Sequence, residues 1–83
     1  MDEYTVKNGT KNTIFWRDGL WYSPPVDKGG EHTVTSDHNA TVTLFEKVDG
    51  RDQELGDAII PKYDGLCEVR GRWDWSISER ENK

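Results

Sequence analysis

The apolar positions along this chain come in short runs, and wherever a run is long enough to show a period, that period is two. No window carries apolar residues at i, i+3, i+4 and i+7 for more than one helical turn, while β-branched and aromatic residues dominate the runs, so the pattern predicts an all-β chain. A first strand at 4–7 meets Asn8-Gly9, and a second at 13–17 meets Asp18-Gly19 and returns through 20–23. A tight loop at Asp18-Gly19 sets Arg17 opposite Leu20, Trp16 opposite Trp21 and Phe15 opposite Tyr22. Aromatic side chains then lie on both faces of one hairpin. A half-buried hairpin normally keeps one face polar, so this ribbon is either covered on both sides or leaves aromatic surface in water.

Ser23-Pro24-Pro25 ends that strand because proline cannot donate to a ladder, and Asp27 to Gly30 extend the loop. If Asp37-His38-Asn39 connects the next hairpin, Val34 falls opposite Val42, Thr33 opposite Thr43 and Thr35 opposite Thr41, giving a core face and a threonine face. The strand continues through 44–48, turns at Asp49-Gly50-Arg51-Asp52, and a further segment at 55–60 ends before Pro61 and Asp64-Gly65. In "LCEVRGRWDWSIS", a turn at Arg70-Gly71 would pair Val69 with Arg72 and Cys67 with Asp74, apolar against charged. Read as one strand, Cys67, Val69, Trp73, Trp75 and Ile77 share a face and Glu68, Arg70, Arg72 and Asp74 the other. The pattern therefore predicts a single strand over 67–77, bent at Gly71, with Trp73 and Trp75 inward. At roughly 35 Å it would serve two sheets. The expected fold is a small antiparallel β-sandwich or partly open barrel of about seven strands, with residues 1–83 a single domain and 79–83 a frayed tail.

Eighty-three residues suffice for one hydrophobic core. Apolar and charged residues each make up 33%, yet four Trp, three Tyr and two Phe supply large side chains to bury, which argues against disorder. The one cysteine, Cys67, allows no internal disulfide, so packing must hold the domain, and a reducing, cytoplasmic setting is expected. No charged segment precedes an apolar run at the start, and no apolar stretch approaches the ~20 residues of a membrane span, so no membrane partner is expected. The formal charge is -5 and the basic residues are scattered among acids, which disfavours a nucleic-acid partner.

Candidate chemistry is sparse. Trp73 and Trp75 read as core, with an aromatic sugar platform as the alternative. The stretch "LWYSPP" and its hairpin partner offer the best contact surface, Trp16, Trp21, Tyr22, Pro24 and Pro25, because aromatic rings beside a rigid proline pair lose little entropy on binding. His32 and His38, with Asp37 and Glu31, do not make a converging ligand set, so no metal or other cofactor is expected. The acidic run "DGRDQELGD" has Arg51 where a calcium loop needs its second ligand, and reads as an ordinary polar connection. Cys67 reads as inert filler, the serines have no motif around them, and nothing selects a catalytic pair from sixteen carboxylates, so the chain is not expected to be an enzyme. Asn8-Gly9-Thr10 and Asn39-Ala40-Thr41 match the glycosylation sequon, which matters only in a secreted chain.

From Tyr4 to about Asp49, the short strand ending in Asn, the aromatic strand with Asp-Gly, Tyr and prolines, the Gly-rich turn and "HTVTSDHNATVTLFE" together resemble the β-domain of the von Hippel-Lindau tumour-suppressor family. The resemblance implies a β-sandwich, and a surface that binds a hydroxyproline-bearing peptide through a Tyr, a Ser, a His and a Trp. By that resemblance Tyr22, Ser36 and His38 correspond to the first three. The Trp has no counterpart in "ATVTLFE", nor has the family's helical domain in this sequence. Taken together, the residues suggest a non-catalytic module that binds a protein or peptide partner, in one version a small acidic inhibitor of a basic site. The alternatives are a carbohydrate-binding module using exposed Trp and a hydrolase using surface carboxylates.

Overall fold

A computed structural model describes residues 2–79, so of the expected frayed tail only Glu79 is seen and the rest lies outside the described residues. The chain forms β1 (Glu3–Asn8), β2 (Ile14–Asp18), β3 (Trp21–Tyr22), β4 (Glu31–Thr35), β5 (Ala40–Val48), β6 (Arg51–Ile60), β7 (Gly65–Gly71) and β8 (Asp74–Glu79). They make two four-stranded sheets, ordered β4-β1-β7-β8 and β3-β2-β5-β6. Every pairing is antiparallel except β1 with β7. The two sheets stay separate, so the molecule is a sandwich and not a closed barrel.

Alternation decides what goes between the sheets. Along β5, Ala40, Val42 and Leu44 point inward and Thr41, Thr43 and Phe45 outward. Tyr4 and Val6 of β1, Ile14 and Trp16 of β2, Leu55 and Ile60 of β6, and Cys67 and Val69 of β7 complete a core from which solvent is excluded. Trp16 and Tyr4, its largest members, meet edge to face at 6.2 Å, and the Trp16 indole N–H donates to the Tyr4 hydroxyl at 3.0 Å. That bond lets two polar aromatic groups be buried without an orphaned donor.

Asn8 closes one end of the sandwich. Its side-chain amide donates to the carbonyls of Asn12 (2.7 Å) and Val26 (2.9 Å), while its Oδ1 accepts from the Thr10 backbone N–H (2.9 Å) and hydroxyl (2.7 Å). Asn12 in turn donates to the largely buried Glu46 carboxylate at 2.9 Å. The first of the two glycosylation sequons is therefore occupied as a structural joint.

Four local expectations are corrected. The strand expected over 67–77 is two strands, β7 and β8, reversing at Arg72-Trp73, with Trp73 in the left-handed region at φ 56. A register shift between Val69 and Gly71 absorbs one residue, so Cys67 opposes Ile77 and Val69 opposes Trp75. A bulge plus a later turn restores apolar-to-apolar pairing, which strict alternation counted in favour of a continuous strand. Second, the Asp37-His38-Asn39 segment joins β4 to β5 in the other sheet. Val34 pairs with Tyr4 and Val42 with Ala58, and the threonine contact is instead Thr5 with Thr33, oxygen to oxygen at 2.9 Å.

Third, the β2–β3 loop is Gly19-Leu20 rather than Asp18-Gly19, so Asp18 opposes Trp21 and Arg17 opposes Tyr22. Gly19 supplies φ 63 at the first loop position, as a type II′ turn requires. Fourth, the acidic run is strand: Asp49 (φ 52) and Gly50 (φ 75) alone form the turn, of type I′, and Arg51 already pairs with Val48. A bulge then sets Leu44 opposite Gly56 and Phe45 opposite Glu54, with Leu55 extra.

Candidate recognition surface

The two sheets differ in what they show to solvent. Outside the β4-β1-β7-β8 sheet stand mostly Thr, Glu, Lys, Arg and Ser side chains, such as Glu3, Lys7, Glu68, Arg70 and Ser76, with the half-buried Leu66 among them. Outside the β3-β2-β5-β6 sheet stand aromatic rings. Phe15 of β2 and Phe45 of β5 are register partners and stack at 4.9 Å with planes 9° apart. Tyr22 lies 6.3 Å from Phe15 and is 57% exposed. Pro25 and Ser23 border the hollow between Phe15, Tyr22 and Lys47.

Two cations frame the stack. The Lys47 ammonium sits 5.1 Å from the Phe15 ring centre and the Arg17 guanidinium 5.9 Å from that of Phe45. Both distances are within the range in which a ring quadrupole attracts a positive charge. Lys47 also pairs with Asp52 at 3.1 Å, and Thr43 donates to Asp57 at 2.8 Å. The aromatic centre is thus bordered on the β6 side by a strip of Asp52, Glu54 and Asp57. Leu20 at the hairpin tip is fully exposed and Ile59 is 63% exposed at the β6 end of this face.

The structure separates the residues expected to act together. Trp16 has no solvent exposure and belongs to the core, so it is corrected from the contact surface. Tyr22 and Pro25 share the aromatic outer face, and Pro24 is exposed beside them. Trp21 lies on the opposite face of the hairpin, edge to face with Trp16 at 6.2 Å, where it lines a cleft with Ser36 and His38. The three residues aligned by the von Hippel-Lindau resemblance therefore occupy two surfaces, Tyr22 on one, Ser36 and His38 on the other. Ser36 is engaged within its own loop, its hydroxyl donating to the His38 carbonyl and accepting from the His38 N–H.

Phe45, Arg17 and Lys47 do not stand out in the sequence as site residues, and Phe15 stands out only as one ring of the aromatic hairpin. The signal for Phe45 was present in "ATVTLFEKV", where it occupies an odd, outward position between Thr43 and Lys47. Trp73 is corrected in the other direction: it is 72% exposed at the β7–β8 turn, while Trp75 packs against the core. Among the described residues no His, Cys, Asp and Glu side chains group as a metal site. Cys67 is fully buried, and desolvation pushes its thiol up to about 12, with Arg70 pulling weakly the other way. No helix of the described chain is long and apolar enough to cross a membrane. A comparison with protein-family models finds no match, and a search of curated proteins finds none either.

Proposed function

We propose that the chain is a non-catalytic protein-binding module and that its contact surface is the outer face of the β3-β2-β5-β6 sheet, centred on Phe15, Tyr22, Pro25 and Phe45. One observation carries this reading: the solvent face of one sheet holds a contiguous aromatic cluster, while the strands of the other sheet turn mainly polar side chains and the half-buried Leu66 to theirs. An apolar patch of this kind on an otherwise highly charged small domain marks an interaction surface. Rings already stacked on each other and on a sheet lose little freedom on docking, and the cations and carboxylates around them give a polar rim. The formal charge of -5 suits a partner whose docking site is basic, as for an inhibitor occupying a cationic site. The single buried thiol suits a reducing compartment.

Tyr22→Ser, at a half-exposed position, should leave the melting temperature nearly unchanged and weaken a partner recovered from the native host by about 30-fold, the effect of an interface hot spot. Unchanged partner affinity in a folded Tyr22→Ser, Phe45→Ser double variant would refute the surface. Trp73 supports a second reading, a sugar platform, because its indole stands in solvent 6.2 Å from that of Trp75. A saturable change in tryptophan fluorescence with one glycan, lost in Trp73→Ser, would support it over protein binding.

A further inference from the structure

Behind the β2–β3 hairpin, on the side away from the aromatic face, a cleft of about 420 Å³ opens at the rims of the two sheets. Its apolar lining comes from Tyr4 and Val34, register partners on β1 and β4, and from Trp21, which is 43% exposed. Two carboxylates border it from different elements: Asp18, opposite Trp21 in the β2–β3 register, and Asp37 from the β4–β5 crossover. Asp18 is close enough to the Tyr4 hydroxyl to add to the rise in its pKa that burial causes and the Trp16 hydrogen bond opposes. Among the described residues neither Asp18 nor Asp37 is in an ion pair. The nearby Lys62 directs its ammonium to the Asp37 carbonyl (3.4 Å) and the Asp2 carboxylate (4.0 Å).

An indole wall with two carboxylates on the same cleft is complementary to a cation on an aliphatic stem: the stem covers Trp21 and the charge is shared by the acids. A neutral sugar could stack on Trp21 but would leave both charges uncompensated in a chain of net charge -5. We propose that this cleft receives a lysine or arginine side chain of a protein partner, held between Asp18 and Asp37 with its stem against Trp21. The choice of a protein ligand rests on the binding-module reading above. The surface itself is separate from the aromatic face, with Trp21 and Tyr22 on opposite sides of one hairpin.

The test is a proton–nitrogen NMR titration of the whole chain with Nα-acetyl-arginine methylamide and Nα-acetyl-lysine methylamide, against the uncharged norleucine analogue and glucose. Saturable shifts of the Trp21 indole N–H and the Ser36 to His38 amides with a cationic probe, and not with norleucine, are expected. Asp18→Asn, nearly the same shape, should weaken binding about fivefold. If that variant does not fold, Asp37→Asn on the exposed crossover makes the same measurement. No saturable shift at the cleft, equal response to norleucine, response to glucose alone, or unchanged affinity in the Asn variant would each overturn the proposal. A silent cleft beside a partner still lost in Tyr22→Ser would sink this inference only. Cleft binding with partner affinity indifferent to Tyr22 would support it and sink the aromatic-face reading only.

Discussion

Asn8 does with one side chain what a longer loop would need several residues to do. Its amide satisfies two carbonyls and its oxygen two donors, tying the end of β1 to the Thr10–Asn12 turn and to the Val26 segment. Asn8→Ala leaves these buried groups unpaired and should cost about 3 kcal/mol, read as a lower urea midpoint with an unchanged slope. Cys67 and Tyr4 set the behaviour in alkali. Both hold their protons more tightly folded than unfolded. Below the ordinary thiol value of 9.0 both states keep the Cys67 proton and stability is flat with respect to this group. Above it the unfolded chain loses that proton first, so stability falls until the pH reaches about 12. One such group contributes a slope of about 1.4 kcal/mol per pH unit. Denaturant titrations across that window should show the decline, and Cys67→Ala should make it shallower while lowering stability at neutral pH.

Among the elements, β6 and the β7–β8 hairpin explain each other. Gly56 sits in the β6 bulge at φ +135, and a Cβ built there would lie 2.5 Å from Trp75 Cη2 and 3.0 Å from Trp73 Cζ3. The Trp73 backbone N–H donates to the Leu55 carbonyl at 3.0 Å, so the hairpin tip of one sheet is fastened to the bulge of the other. Gly56→Ala should therefore destabilise by about 2 kcal/mol or more, combining backbone strain with displaced rings, and should shift tryptophan emission to the red. This joint also marks where the sequence was legible and where it was not. The strands of β1, β2 and β5 follow from alternation, which depends on nearest neighbours, and the sandwich follows from the number of such strands. Register depends on bulges and exact loop positions, so Gly19-Leu20 replaced Asp18-Gly19, and a reversal at Arg72-Trp73 replaced the continuous strand bent at Gly71. Both slips moved aromatics: Trp16 was placed opposite Trp21 instead of Ser23, and Trp73 was placed inside. Which face of the β2–β3 hairpin stays in water was left open by the pattern, but that aromatics lie on both faces was legible, because no register puts Phe15 and Trp16 on the same side. The stacking of Phe15 on Phe45 was not, since it needed the non-local pairing of β2 with β5.

At the scale of the whole molecule, the two sheets were assembled from the chain in different ways. β2, β3, β5 and β6 contain both tight hairpins of their sheet, β2–β3 and β5–β6, whereas β1 pairs with β4 and, in parallel, with β7. The register of that parallel pair joins Tyr4 to Gly65 and Asn8 to Val69, so a central strand of one sheet brings together nearly the two ends of the described chain. A contact so distant along the polymer carries a large loop-closure cost and forms late. Mutations in the β5–β6 hairpin should accordingly slow refolding, with φ-values near the upper part of the usual nucleus range, whereas truncations on β1 such as Val6→Ala should mainly speed unfolding. Stopped-flow chevrons on the two sets would separate them. On a ribosome the same arrangement means that β1 must wait for β7, the edge it turns toward that strand open to any passing chain until β7 has emerged.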